Sequence, residues 1–198
     1  MVDDDRWLEP WLNTVRERAG PAPVLELGCG NGRDTATLAA AGVRVVAVDL
    51  SARAIEMARA AVGNAQFHVS DIRDPFPLAH ARVVVASLSL HYFTWAETVH
   101  IVERVGDVLR DRGLLICRLN STRDHHYGAS GHRRIEDDYY LVNGRTKRFF
   151  DRSAVERLFD GWRILALEER TIHRYERPKV VWELAVEAAG ARPHGAEG

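Results

Sequence analysis

The sequence predicts an α/β fold built on a doubly wound, mostly parallel sheet of seven strands that closes with an antiparallel hairpin. Short apolar runs alternate with segments of helical periodicity, and the run at residues 43–48 is typical of a strand covered on both faces. Two long strand-like segments, residues 162–171 and 179–187, are joined by too few residues for a crossover helix and must pair antiparallel. Because ligands of such sheets bind at the carboxyl ends of the strands, we expect the site there.

The first half of the chain is predicted to alternate between helices and strands. Residues 4–18 place apolar side chains at three-and-four spacing, which indicates an amphipathic helix in which Pro10 marks a kink or a first turn. Ser51 is a good N-cap for a helix that runs through residue 61. The remaining elements are a helix at residues 33–41 that ends at Gly42, and strands at residues 24–27, 43–48, 66–69 and 82–86.

The second half continues this alternation and then departs from it. A helix is predicted at residues 95–109, with Thr94 as its cap. Residues 120–150 are longer than an ordinary connection and rich in His, Arg, Asp and Tyr, so we expect a substrate-side insertion. Within the insertion, Asn143-Gly144 is the preferred pair for a type I′ turn. The other elements are hairpin strands at residues 139–142 and 145–149, a strand at residues 113–119 and a helix at residues 151–159.

Composition limits the class of function. The chain has 198 residues, enough for one domain with its own core, and 27 Lys and Arg nearly balance 28 Asp and Glu. Such a balance gives no general polycationic surface for nucleic acid. Cys29 and Cys117 lie in or beside apolar runs, which favours buried thiols in a reducing compartment over a disulfide. The acidic start lacks the regions of a signal peptide, and no apolar run approaches the roughly 20 residues of a membrane span. We therefore expect a cytoplasmic protein with one domain at residues 1–190 and a flexible tail at residues 191–198.

The glycine-rich loop within residues 24–35 indicates that a ligand approaches the backbone closely. Dinucleotide dehydrogenases and methyltransferases both place glycines after the first strand and an acid after the second. The dinucleotide fingerprint Gly-x-Gly-x-x-Gly, started at Gly28, requires its third glycine where this chain has Arg33. The glycines of this chain are instead Gly28, Gly30 and Gly32. This disfavours pyrophosphate, although a nucleotide-linked oxidoreductase remains a competing hypothesis.

The run from Glu26 to Gly32 resembles the Glu/Asp-x-Gly-x-Gly-x-Gly loop of the class I S-adenosylmethionine-dependent methyltransferases, a Rossmann-like family. The resemblance covers about residues 24–187, including the closing hairpin, which dehydrogenases usually lack. More narrowly, the Gly-Asn-Gly-Arg-Asp-Thr and Ser-Leu-Ser-Leu-His-Tyr-Phe segments resemble the small bacterial tellurite-resistance and thiopurine-type enzymes.

The resemblance implies roles for individual residues in binding S-adenosylmethionine. Asp49 ends the second strand and would hold the ribose hydroxyls with its two acceptor oxygens. Asp71 and Ile72 would meet the adenine, and an N-terminal helix would close over the cofactor. The alternatives are ordinary caps for these acids, a complement to the helix dipole for Asp34, and a core position for Trp11. The implied cofactor residues are Glu26, Gly28, Cys29, Gly30, Asn31, Gly32, Asp34, Asp49, Leu50, Asp71, Ile72, Ser87 and Trp11.

Methyl transfer from a sulfonium is an in-line displacement, so the enzyme must align donor and acceptor and, for a protonated acceptor, supply a base. His91, just past the fourth strand, is the candidate base, and Tyr92 is a second catalytic candidate. A structural hydrogen bond is the alternative for His91. No metal is expected, because the histidines of the insertion lack helical register and thiolate companions. The substrate candidates are Phe93, Asn120, Tyr127, Arg133, Tyr139 and Arg148.

The sequence therefore predicts a methyltransferase that uses S-adenosylmethionine, releases S-adenosylhomocysteine and acts on a small-molecule acceptor. The basic residues of the insertion either receive an anionic substrate or balance its acids. Methylation of RNA or another macromolecule, and a cofactor-binding module without turnover, are the alternatives. The acceptor atom depends on loops that vary on this scaffold, so the sequence does not assign it.

Overall fold

Ten strands and five α-helices occupy residues 5–189, the part of the chain that the computed structural model describes. The tail predicted at residues 191–198 lies outside the described residues. The helices are α1 Leu12–Ala19, α2 Arg33–Ala40, α3 Ala52–Ala61, α4 Trp95–Val108 and α5 Arg152–Leu158. The strands are β1 Val24–Leu27, β2 Val45–Asp49, β3 Gln66–Val69, β4 Ala81–Ser87, β5 Leu109–Asn120, β6 Arg133–Glu136, β7 Tyr139–Val142, β8 Arg145–Arg148, β9 Arg163–Ile172 and β10 Lys179–Glu187.

The central sheet has seven strands in the order β3-β2-β1-β4-β5-β10-β9. Strands β1 to β5 pair parallel, whereas β10 pairs antiparallel with both β5 and β9. The predicted fold class is confirmed, including the antiparallel closing hairpin. The parallel strands bring the loops that follow β1, β2, β3 and β4 to one edge of the sheet.

Side-chain caps begin three helices, and two of these caps, Ser51 and Thr94, are at the residues that the sequence predicts. Ser51 Oγ accepts a hydrogen bond from the Ala54 amide, and Thr94 forms a reciprocal capping box with Glu97. Asp151 caps α5 in the same way, through the Ala154 amide. These caps fix where the chain turns back after a strand, and therefore where the loops at the sheet edge end.

The amphipathic helix predicted at residues 4–18 is shorter than expected. A 3₁₀ turn at Glu9–Trp11 comes first, and α1 begins only at Leu12. Pro10 explains the difference, because it lacks an N–H and suits a first helical turn. Leu8 is nonetheless buried, so the apolar pattern predicts burial correctly where it predicts helix wrongly.

Two apolar clusters cover the two faces of the sheet. One cluster contains α4 and α5 side chains such as Ile101 and Val155. The other contains α1, α2 and α3 side chains such as Val15, Leu38 and Ile55. Helices on both faces explain why the parallel strands are buried on both sides. Within residues 5–189, no helix is both long and apolar enough to cross a membrane.

The insertion folds as a separate three-stranded sheet in the order β6-β7-β8. The predicted hairpin is confirmed: Asn143 and Gly144 have φ of 50° and 78°, as a type I′ turn requires. Strand β6 was not predicted, because its sequence Arg-Arg-Ile-Glu lacks the apolar alternation of a half-buried strand. We call β6, β7 and β8 the small sheet.

Candidate active site

A cavity of about 1180 Å³ opens at the carboxyl edge of the central sheet. Two groups of residues line it. The donor half comes from the ends of β1, β2 and β3, with Glu97 of α4, and contains Glu26, Gly28, Cys29, Gly30, Asn31, Arg33, Asp34, Asp49, Leu50, Ser51, Asp71, Ile72, Arg73 and Glu97. The acceptor half comes from the segment after β4, the small sheet and the β9–β10 loop, and contains Ser87, Leu88, Ser89, Tyr92, Phe93, Tyr139, Gly144, Arg145, Thr146, Arg174 and Tyr175.

The glycine loop is held against its neighbours by backbone contacts. The amides of Gly28 and Cys29 both donate to the Val48 carbonyl, at 2.8 and 3.0 Å. Gly28 has φ of +73°, and a Cβ there would lie 2.4 Å from the Cβ of Ser89. Only glycine therefore fits, because the loop packs directly on the segment that follows β4. At Gly30, by contrast, a Cβ would meet nothing within 4 Å, so this part of the loop faces open space.

Asp49 links the loop to the end of β2. Its Oδ2 accepts from the Gly30 amide at 2.8 Å, and its Oδ1 accepts from the Ser51 amide at 2.9 Å. Each oxygen thus uses one backbone donor, and a carboxylate has about four acceptor sites in all. Acceptor capacity remains for hydroxyl groups in the cavity.

Glu26 and Asp34 place further carboxyl groups at the loop. Burial raises the pKa of Glu26 to about 8, although Thr35 Oγ1 donates to its Oε2 at 2.6 Å. Burial also raises the pKa of Asp34, against a hydrogen bond from Trp7 Nε1 at 3.1 Å. Burial disfavours the ionised form of these two carboxyl groups. A cation bound nearby would favour that form, because a positive charge stabilises a carboxylate.

Asp71 forms an ion pair at the end of β3. The guanidinium of Arg73 donates to it, with a closest distance of 2.7 Å, and this lowers the pKa of Asp71. Arg73 also contacts Glu97 at 3.1 Å and lies 5.4 Å from the ring centroid of Phe93. Asp71 therefore lines the cavity while already paired with a cation.

The acceptor half is walled by aromatic rings that the small sheet holds in place. Tyr139 Oη and Thr146 Oγ1 both donate to the Tyr92 carbonyl, at 2.9 and 3.0 Å. Arg148 Nε donates to the Phe93 carbonyl at 3.2 Å. Three hydrogen bonds thus fasten the small sheet to the segment after β4.

A buried charge network ties the N-terminal segment to the same region. Arg118 of β5 is buried and pairs with Asp5, at 2.6 Å, and with Glu183. Its guanidinium lies 4.5 Å from the Trp7 ring centroid. Arg174 of the β9–β10 loop adds a second contact to Asp5, at 3.2 Å. Burial opposes ionisation of Asp5, but the hydrogen bond and charge of Arg118 outweigh it and lower the Asp5 pKa.

Most of the sequence-predicted cofactor residues meet in the cavity. Gly32 and Trp11 do not line it. Gly32 faces α3, where a Cβ would lie 2.9 Å from the Cβ of Ala58, and Trp11 packs on the apolar cluster of α1, α2 and α3. The predicted cofactor residues that line the cavity are Glu26, Gly28, Cys29, Gly30, Asn31, Asp34, Asp49, Leu50, Asp71, Ile72 and Ser87.

The two catalytic candidates take different places. The 3₁₀ turn at Leu90–Tyr92 buries His91 and leaves Tyr92 facing the cavity, with their ring centroids 4.1 Å apart. Burial holds the pKa of His91 well below its ordinary value, with the charges of Lys179 and Lys147 adding to the effect. His91 does not line the cavity, and its Nδ1 has no hydrogen-bond partner among residues 5–189.

The substrate candidates divide in the same way, since Phe93 and Tyr139 line the cavity and four others do not. Asn120 is buried beneath the small sheet, with its Nδ2 donating to the Arg148 carbonyl at 3.4 Å. Tyr127 Oη donates to the Arg177 carbonyl, and Arg133 lies exposed on β6.

Arg148 is buried and fully engaged by the protein, which takes its guanidinium out of the cavity. Besides the Phe93 carbonyl, it donates to the Asp137 carbonyl at 3.1 Å and pairs with Glu136. Sequence reasoning instead missed Arg145, Arg174 and Tyr175. One sequence signal could have identified Arg145: it directly follows the Asn-Gly turn, which places it at the tip of a hairpin.

Comparison with known proteins agrees with this architecture. Residues 24–113 match the family described as Methyltransferase domain. Over 88 residues the chain is 36% identical to magnesium-protoporphyrin O-methyltransferase from Rhodobacter capsulatus, an alignment that covers 42% of this chain and 39% of that protein. The chain thus spans well under half the length of this curated relative.

Two solved structures share the fold. A S-adenosylmethionine-dependent methyltransferase from Methanosarcina mazei superposes with a TM-score of 0.74 at 18% identity, over 85% of this chain and 93% of that one. The 1,6-didemethyltoxoflavin-N1-methyltransferase of Burkholderia thailandensis, solved with 1,6-didemethyltoxoflavin and S-adenosylhomocysteine, gives a TM-score of 0.69 at 20% identity, over 94% and 80%.

Residues 24–113 are therefore similar to the Methyltransferase domain family, and the strand order and closing hairpin give the chain the Rossmann-like fold of S-adenosylmethionine-dependent methyltransferases.

Proposed function

We propose that this chain transfers a methyl group from S-adenosylmethionine to a small-molecule acceptor bound in the acceptor half of the cavity. One observation carries the proposal: the glycine loop and the acids that end β1, β2 and β3 line the same cavity as an aromatic wall. Parallel sheets bind nucleotide-type ligands at this edge.

The charges of the donor half fit this methyl donor. Its lining includes Glu26, Asp34 and Asp49, and burial raises the pKa of the first two. S-adenosylmethionine carries a sulfonium and an ammonium, and a cation favours the ionised form of such carboxyl groups. The open space at Gly30 lets a ligand approach the loop backbone.

We assign the ribose to Asp49, whose oxygens keep acceptor capacity beyond the two backbone amides. We assign the amino-acid part to the loop around Gly30 and the adenine to the side of Asp71 and Ile72. Ser89 Oγ is buried without a hydrogen-bond partner among residues 5–189 and lines the acceptor half, so a bound molecule would satisfy it.

When bound, the donor would supply an electrophilic methyl carbon: the acceptor lone pair would form a bond to this carbon, and the electron pair of the broken carbon–sulfur bond would stay on sulfur, giving S-adenosylhomocysteine. The protein then has to align the acceptor and keep water out. Among the described lining residues there is no histidine, and His91 lies buried behind Tyr92. Alignment, rather than proton removal by His91, is the contribution that this geometry supports.

The size of the cavity supports a small acceptor. A pocket for one small molecule has a volume of about 300–1,000 Å³. The volume here, about 1180 Å³, exceeds that range and suits a donor and a small acceptor together. The near balance of charged residues in the chain also argues against a nucleic-acid substrate.

Calorimetry with S-adenosylhomocysteine tests the donor assignment. We expect saturable binding, and Asp49→Ala should weaken it by roughly 1–3 kcal/mol, because ribose hydroxyls would lose their acceptor. Asp107→Ala, at an exposed position on α4, is the matched control and should bind like the wild type. A thermal melt of both variants separates lost binding from lost folding, since Asp49 also holds the loop amide.

Failure to bind S-adenosylhomocysteine, together with clear binding of NADH, would refute the proposal. A protein that binds S-adenosylhomocysteine but methylates no compound in a broad single-turnover acceptor panel would instead be a cofactor-binding module.

A further inference from the structure

We propose that the acceptor is a planar aromatic carboxylate, bound with its ring against the aromatic wall of the acceptor half and its charge beside Arg145. The inference rests on the proposed function, since it concerns the half of the cavity that the donor would leave free. Its basis is an unequal distribution of carboxyl groups in the cavity, an arginine of the acceptor half that pairs with no described residue, and an aromatic wall.

Carboxyl groups line only one half of the cavity, although Arg33 and Arg73 lie in that half with them. All the carboxyl groups of the described lining lie in the donor half. The acceptor half contains no acid, but it contains Arg145 and Arg174. No carboxyl group in the lining of this half offsets the two guanidinium groups, so they disfavour a cationic acceptor and favour an anion.

Of the two arginines that line the acceptor half, Arg145 is the one whose side chain pairs with no described residue. Within residues 5–189 its side chain makes no hydrogen bond and no ion pair, although its charge acts on the nearby Tyr92 hydroxyl. Its neighbours on the small sheet are engaged: Arg134 pairs with Asp137, Lys147 donates to the Tyr127 carbonyl at 3.4 Å, and Arg148 is buried.

Arg174 contributes positive charge but is partly engaged. It contacts Asp5 at 3.2 Å and donates to Tyr175 Oη at 2.6 Å. The planar guanidinium of Arg145 keeps all its donors for a carboxylate, which it can bind through two parallel hydrogen bonds, whereas Arg174 already uses two of its donors.

The aromatic wall favours a flat body for the anion. Tyr92, Phe93, Tyr139 and Tyr175 all line the acceptor half. The hydrogen bonds from Tyr139 and Thr146 to the Tyr92 carbonyl hold this wall in place before any ligand arrives. Rings held in this way stack on or pack edge-on against another ring at little entropic cost.

Binding of matched probes to the protein saturated with S-adenosylhomocysteine tests the inference by calorimetry. The probes are 2-naphthoate, 2-naphthamide and 2-naphthylmethylamine, which share a ring system and differ in charge. We expect 2-naphthoate to bind about tenfold or more tightly than the neutral amide, as a charge-assisted hydrogen bond implies. The cationic amine should bind weakest.

Arg145→Gln should remove the preference for 2-naphthoate and leave S-adenosylhomocysteine binding unchanged. Arg82→Gln is the matched control, because Arg82 is an exposed arginine on β4 that does not line the cavity, and it should keep the preference. Because the Arg145 side chain makes no hydrogen bond and no ion pair with the described residues, its replacement should leave the melting temperature unchanged.

Several outcomes overturn the inference while the proposed function stands. Equal binding of the acid and the amide in the S-adenosylhomocysteine complex is one, and a preference that survives Arg145→Gln is another. Arginine with aromatic rings also binds single-stranded nucleic acid. Tight binding of a uridine oligonucleotide without binding of 2-naphthoate would therefore overturn it in favour of RNA. Absence of S-adenosylhomocysteine binding would instead refute the proposed function itself.

Discussion

Arg118 offers a direct test of how the N-terminal segment is held over the sheet. We consider Arg118→Met, which keeps an unbranched side chain and removes the charge. Arg118 is 1% exposed and faces two carboxylates, Asp5 at 5% and Glu183 at 19% exposure. The substitution would leave both acids without their shared cation. Breaking a buried ion pair by removing one partner costs about 3–5 kcal/mol.

The expected loss lies near the lower end of that range. Arg174 remains 3.2 Å from Asp5, and Arg170 remains 3.3 Å from Glu183, so neither acid becomes wholly unpaired. We therefore expect Arg118→Met to lower the free energy of unfolding by about 3 kcal/mol. For a chain of this length, that corresponds to a fall in melting temperature of roughly 6–12 °C.

Urea denaturation followed by circular dichroism and tryptophan fluorescence measures this loss. Arg152→Met is the matched control, because Arg152 pairs with Glu156 on the exposed surface of α5. A surface pair contributes about 0–1 kcal/mol. The double variant Asp5→Asn with Arg118→Met should be less destabilised than the sum of the single variants. A loss for Arg118→Met no larger than that of the control would refute the buried network as a source of stability.

Two further substitutions test the glycine loop. The pKa of Glu26, about 8, lies above its unfolded value, so stability without ligand should fall as pH rises between about 4.5 and 8. The ammonium group of S-adenosylhomocysteine favours the ionised form of Glu26, so the affinity for this ligand should rise by up to about tenfold per pH unit below 8. Calorimetry should show no such dependence in Glu26→Gln, and a dependence that persists in this variant would show that Glu26 is not its source. Gly28→Ala should cost roughly 2–5 kcal/mol, from a left-handed backbone and a clash with Ser89. Gly63→Ala, where a Cβ meets nothing within 4 Å, should change the unfolding free energy by under about 0.5 kcal/mol; equal losses would contradict the packing reason.

The fold was largely predictable because its signals are local. The caps Ser51 and Thr94, the Asn143-Gly144 turn and the apolar runs each specify an element from neighbouring residues alone. Strand β6 was not predictable in this way. Three of its four residues are exposed, so the strand has no apolar pattern. It is a strand because its backbone pairs with β7, which lies later in the chain.

The acids of the donor half were predictable and the cations of the acceptor half were not, for a physical reason. Asp49 ends β2, Asp71 lies two residues after β3, and parallel strands must end at the same edge. Arg145 and Arg174 reach the cavity only because the small sheet and the β9–β10 loop fold over it. The sequence does not show that Arg145 lines the cavity and Arg148 does not, because both are arginines of the same strand. The two differ in their surroundings: Arg148 is held by two carbonyls and an acid.

The attachment of the small sheet has a consequence for substitutions in the aromatic wall. Its anchors are the main-chain carbonyls of Tyr92 and Phe93, and a carbonyl persists whatever side chain the residue bears. The side chains of residues 92 and 93 are therefore not needed for these anchoring hydrogen bonds. A substitution at Tyr92 would change the wall of the proposed acceptor site and leave the small sheet attached.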